Sequence, residues 1–115
     1  IIKSSISIFM DSNVELMDGV KDVNVYNKIF EAVEKVPGAS NPHRVRSRMI
    51  GNRYIITLDI EVNPQITITQ AHEIAGAVEK SIESSIDNVY DILVHVEPAG
   101  ECQTDEKFGV DKDMV

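Results

Sequence analysis

Near the end of the chain the run "DILVHVEP", residues 91–98, sets an imidazole and a carboxylate two positions apart, at His95 and Glu97. Strand alternation puts Ile92, Val94 and Val96 on one face and Leu93, His95 and Glu97 on the other, the last two about 6.5–7 Å apart along the strand. Such a pair is either half of a metal site or part of an ordinary solvated face. Zinc and related divalent ions take imidazole nitrogen and carboxylate oxygen at about 2.0–2.2 Å, commonly four at once. The question is therefore which other donors can reach it.

Residues 43–50 and 53–63 read as two strands of a hairpin, joined at Ile50-Gly51-Asn52-Arg53. In the second, Ile56, Leu58, Ile60 and Val62 alternate with Thr57, Asp59, Glu61 and Asn63. If the aliphatic set of both strands faces one core, Asp59, Glu61, His95 and Glu97 share the opposite face. Antiparallel pairing brings His43 to the same end of the hairpin, and His72 lies in the first turns of a later helix. Three histidines and two acids, His43, Asp59, His72, His95 and Glu97, thus converge on one rim of the sheet. The simpler alternative is that Arg44, Arg46 and Arg48 pair with Asp59, Glu61 and Glu97 across an exposed face, each pair worth about 1 kcal/mol or less.

The elements that must position these groups can be read from periodicity. Ile2, Ile6, Phe9, Met10, Val14 and Met17 recur at helical spacing, as an amphipathic entry element. A helix over residues 24–35 buries Val25, Ile29, Phe30 and Val33, with Val36 continuing the stripe, and stops at Pro37-Gly38. Residues 66–86 form the clearest helix, opened by a Thr67/Gln70 capping box and striped with Ala71, Ile74, Ala75, Val78, Ile82 and Ile86. A last strand covers about 90–97, and the glycine-bearing polar tail after Pro98 reads as disordered. The order αββαβ predicts an α+β, ferredoxin-like sandwich, a three-stranded sheet with its helices on one face and the other face left open.

Composition narrows the partners. At 115 residues the chain is one domain with a modest aliphatic core, and 11 Lys and Arg against 19 Asp and Glu give a net charge of −8. That charge repels a phosphate backbone, so nucleic acid is not an expected partner, whereas cations are. The single Cys102 allows no internal disulfide. There is no HExxH, no CxxC pair and no glycine-rich phosphate loop, so a metallopeptidase, a zinc ribbon and an NTPase lack support. An acylphosphatase-like hydrolase on the same fold would need an arginine and asparagine cradle, for which only Asn41 and Arg44 stand, in acidic surroundings. The start Ile-Ile-Lys suggests a piece of something longer, and "IIKSSISIFM" is too short an apolar run to span a bilayer.

The segments "LMD" (16–18), "VPGASNPHRVRSRMIGNRYIITLDIEV" (36–62), "QAHEIAGAVEKSIE" (70–83) and "VHVEP" (94–98) together resemble the cytosolic C-terminal domain of the cation diffusion facilitator family, the zinc and manganese efflux transporters. The resemblance implies a regulatory rather than enzymatic domain, homodimeric and V-shaped, below its own transmembrane part on the cytoplasmic face of the membrane. It implies that residues 1–18 are the end of the last transmembrane helix and a hinge, with Asp18 in a charge interlock, that 19–98 form the dimerisation and metal-binding unit, and that 99–115 are a tail. The family's ligand positions fall on His43, Asp59, His72, His95 and Glu97, with Asp59 where some relatives have histidine and Glu97 where some have aspartate. The expected ion is zinc, with manganese, iron or another divalent cation as alternatives.

Overall fold

The computed structural model describes residues 23–100 and 109–114. In chain order these form helix α1 (Val23–Glu34), strands β1 (Ser40–Ile50) and β2 (Arg53–Val62), helix α2 (Ile68–Ser85), strand β3 (Val89–Pro98) and a short 3-10 turn, Lys112–Met114. This is the αββαβ, ferredoxin-like order expected from periodicity. The entry helix read over residues 1–17, the hinge Asp18 and Cys102 lie outside the described residues. No helix among the described residues is long and apolar enough to cross a membrane.

The helices form where the stripes predict. In α1 the buried side chains are Val25, Tyr26, Ile29, Phe30, Ala32 and Val33. The helix ends into Pro37-Gly38, and Gly38 adopts φ 91°, with the place of a Cβ only 2.9 Å from Ile74 Cδ1. Only glycine takes that backbone turn and that close approach at once. The Thr67/Gln70 capping box is present at the start of α2: Gln70 N–H donates to Thr67 Oγ1 at 3.1 Å and Thr67 N–H to Gln70 Oε1 at 2.9 Å. Ser81 Oγ then donates to the Ala32 carbonyl at 2.8 Å, tying the helices together.

The sheet runs β1-β2-β3, with β1 and β2 antiparallel and β2 and β3 parallel. Ile56, Leu58, Ile60 and Val62 on one face of β2 join Ile29, Val33, Val78 and Ile82 of the helices in a single core. Burial of each such side chain contributes about 1.5–3 kcal/mol, which fixes the face that β2 turns to the helices. Thr57, Asp59 and Glu61 must then point the other way.

The pairing of β1 with β2 departs from simple alternation. From Ile50↔Arg53 back to Arg46↔Thr57 the register is regular; it then shifts by one residue before His43↔Asp59 and by another before Ser40↔Glu61. Arg44 (φ 49°) and Asn41 (φ 45°), one in each irregular step, occupy the left-handed region. Asparagine tolerates that region, whereas for arginine it costs about 1–2 kcal/mol.

The end of the tail also differs from the disorder read for it. Val110 is buried in the core and pairs with Val45 in an antiparallel bridge on the free edge of β1. Its N–H donates to the Val45 carbonyl at 2.7 Å, and its carbonyl accepts the return bond from Val45 N–H at 3.0 Å. The segment that looked merely polar carries one valine with an unpaired strand edge waiting for it.

Candidate metal centre

Three strands deliver one donor each to a single point. His43 comes from β1, Asp59 from β2 and Glu97 from β3, and a potential ligand atom of each lies within 4.8 Å of the others. The ladder explains Asp59 and Glu97, which are on the same face of neighbouring strands. His43 is there because of the irregular step at Arg44: continued regular pairing would set it opposite Ile60, on the core side. A one-residue slip exchanges the two faces of a strand, and here it turns an imidazole from the core toward the acids.

The site is not the wet face that alternation alone suggested. Asp59 is 8% exposed and Glu97 5%. His43 Nε2 lies 2.9 Å from Glu97 Oε1 and 3.9 Å from Asp59 Oδ2, and Arg44 Nη1 lies 3.2 Å from the same Asp59 oxygen. The other ring nitrogen, Nδ1, donates to the Asn41 carbonyl at 2.7 Å. That bond holds the proton on Nδ1 and leaves Nε2 to face the carboxylates, the arrangement in which an imidazole serves as a ligand. Sequence reasoning did not single out Asn41 for this role.

His95 sits beside the cluster without completing it. Its Nδ1 is 3.5 Å from Asp59 Oδ1 and 4.0 Å from Glu97 Oε1, on a side chain that is 62% exposed. His72 is not brought in. It is exposed on α2, and among the described residues it joins neither the donor cluster nor any ion pair. The physical reason is that α2 covers the core face of the sheet whereas the acids project from the opposite face, so within one chain the five-residue set reduces to three clustered donors with His95 adjacent. Of the arginine ladder, Arg44 pairs with Asp59 as the simpler alternative required. It does so at the centre of the donor cluster, not across an exposed surface.

The donor set fits a divalent cation. It combines one imidazole nitrogen of fixed tautomer with two buried carboxylates, and Asp59 Oδ2 is buried yet makes no hydrogen bond of good geometry. Two buried acids side by side are unfavourable unless cations compensate them. Arg44 supplies part of that compensation in the structure described, and a 2+ ion would supply more.

This is the chemistry and topology of a cation-handling domain, and the chain belongs to the family described as the cytoplasmic domain of cation efflux proteins, whose model matches residues 22–99. Its relatives include the magnetosome protein MamM of Magnetospirillum gryphiswaldense, 36% identical over 90 residues, and the manganese efflux system protein MneS of Bacillus subtilis, 31% identical over 102 residues. Those matches cover 78% and 85% of this chain but only 28% and 33% of the relatives, so the chain spans about a third of their length or less. Among solved structures, the metal-bound C-terminal domain of the CzcD transporter from Thermotoga maritima is 37% identical with a TM-score of 0.67, covering 70% of this chain and 94% of that one. These relatives are cation transporters and their cytosolic domains, not enzymes.

Proposed function

We propose that this chain is the metal-sensing, homodimerising regulatory domain of a divalent-cation efflux transporter, with His43, Asp59 and Glu97 as its principal ligands, His95 as an accessory and zinc as the preferred ion. The observation that carries the reading is the convergence of three donors from three strands within 4.8 Å, two of them buried acids. The metal-bound state of the Thermotoga maritima relative supports it. When bound, a divalent ion neutralises the two acids. His43 presents Nε2, and Asp59 and Glu97 turn from repelling one another to sharing a cation.

Regulation follows from the same groups. Protomers whose clustered carboxylates are only partly compensated repel, and charge neutralisation favours a closer pair; an equilibrium of this kind shifts only by the difference in affinity for its two forms. Small-angle scattering and calorimetry on the same sample test this: added zinc is expected to bind and to shorten inter-protomer distances. Binding with no change in scattering would refute the regulatory reading, and absence of binding would refute the site.

A second reading, a dimerisation module in which metal is incidental, draws on the exposed apolar side chains Met49, Ile50 and Tyr90 at the hairpin end of the sheet and on Leu93. Dimer strength unchanged by a chelator would favour it.

A further inference from the structure

The backbone kink that aims His43 does not stand alone. Arg44 holds φ 49° without being glycine or asparagine, and such a conformation persists only where its surroundings over-determine it. Those surroundings are the returning tail. Gly109, at φ 91°, lies so close to the Arg44 backbone that a Cβ there would be 2.4 Å from Arg44 C and 2.7 Å from its carbonyl oxygen. Asp111 Oδ1 accepts from Arg44 N–H at 3.1 Å. Val110 pairs both its backbone groups with Val45, the next residue. Beyond them Lys112 bonds Glu34 of α1, a contact between exposed side chains that raises the lysine's pKa, chiefly through the hydrogen bond and then through charge. Three consecutive tail residues thus grip the two residues that follow His43.

We infer that Gly109, Val110 and Asp111 are positioning residues for the metal centre: by clamping the left-handed kink at Arg44, the tail keeps His43 turned toward Asp59 and Glu97, so that tail docking and ion binding reinforce each other. This rests on the metal reading above for its affinity consequences, but the orientation of His43 is a property of the metal-free chain. Released from the clamp, β1 gains by relaxing Arg44 toward regular pairing, and the regular register carries His43 to the other face. Coupling of two sites is reciprocal, so a ligand for His43 also holds the tail down.

Three versions of the chain test this: the full chain, a chain ending at residue 108, and the full-length Asp111→Ala, which removes one acceptor and leaves the fold intact. Zinc affinity is measured by chelator competition, and His43 ring and amide signals are recorded by NMR without metal. The expected result is a loss of about tenfold or more in affinity for the shortened chain, the range seen when a ligand's orienting partner is removed, with a smaller loss for Asp111→Ala. His43→Ala in the shortened chain should add little further, and zinc should slow amide exchange at Val110 in the full chain. Equal affinity in all three, or full additivity of the His43→Ala loss, overturns the inference. If the full chain binds no zinc, the metal reading fails separately. The clamp is then decided by the metal-free spectra: displaced His43 signals in both altered chains support it, and unchanged signals overturn it.

Discussion

Replacing Arg44 by methionine should weaken the metal-free fold and strengthen metal binding at once. Arg44 Nη1 lies 3.2 Å from Asp59 Oδ2, so an ion bound to that oxygen at about 2 Å would stand within about 5 Å of the guanidinium. Charges of +1 and +2 at that separation repel by about 3 kcal/mol at an effective dielectric of about 40, between the ~20 of a protein surface and the ~80 of water. The Arg44 side chain keeps 32% exposure and can swing outward, so about half of this survives, roughly a tenfold gain in affinity for the variant. Methionine leaves the backbone constraint at φ 49° as it was, which isolates the charge. In the metal-free chain the same substitution strips Asp59 of a cation. Breaking a fully buried pair costs about 3–5 kcal/mol, and with one partner a third exposed about 1–2 kcal/mol is expected. That corresponds to a fall of about 5–10 °C in melting temperature for a domain of this size. Melting curves in chelator and in excess zinc, with a competition titration, read both effects. An Arg44→Met chain that melts as wild type without metal, or that binds zinc no more tightly, would refute the view that arginine and ion compete for Asp59.

Alanine at the three histidines should separate them: His43→Ala loses about 10–100-fold in zinc affinity or more, His95→Ala less, and His72→Ala least, by the same titration. A His72 effect as large as that of His43 would contradict the single-chain site. Gly38→Ala forces a side chain into φ 91° and against Ile74 and should lower stability by about 1–3 kcal/mol, read by urea denaturation. Thr67→Ala removes the cap of α2 at about 1 kcal/mol and should leave metal affinity unchanged, since α2 covers the opposite face of the sheet.

Both described helices, the hairpin and the last strand were legible because burial enforces their periods: Ile29 and Val33 had to share a helix face, and Ile56, Leu58 and Ile60 a strand face. The same rule placed Asp59 and Glu97 on one face of neighbouring strands, where the ladder pairs Asp59 with His95 and sets Glu97 diagonally, two residues further along β3. Period-two reasoning could not place His43, because its position depends on a slip at Arg44, and arginine carries no local signal for a left-handed backbone. That conformation is held by distant residues of the chain, Gly109 and Asp111, the latter 67 positions away. His72 lies away from the cluster within one chain because a place near the helix start does not fix which side of the sheet the helix covers. The resemblance to the cation diffusion facilitator family supplied five positions, of which one chain assembles three.

Anomalous diffraction at the zinc edge, from crystals of this chain grown with one equivalent of zinc, tests the metal centre most directly. The expected result is a peak bonded to His43 Nε2 and to oxygens of Asp59 and Glu97 at about 2.0–2.2 Å. A fully occupied peak elsewhere on the chain, with His43 still against Glu97 and Arg44 still on Asp59, would contradict it.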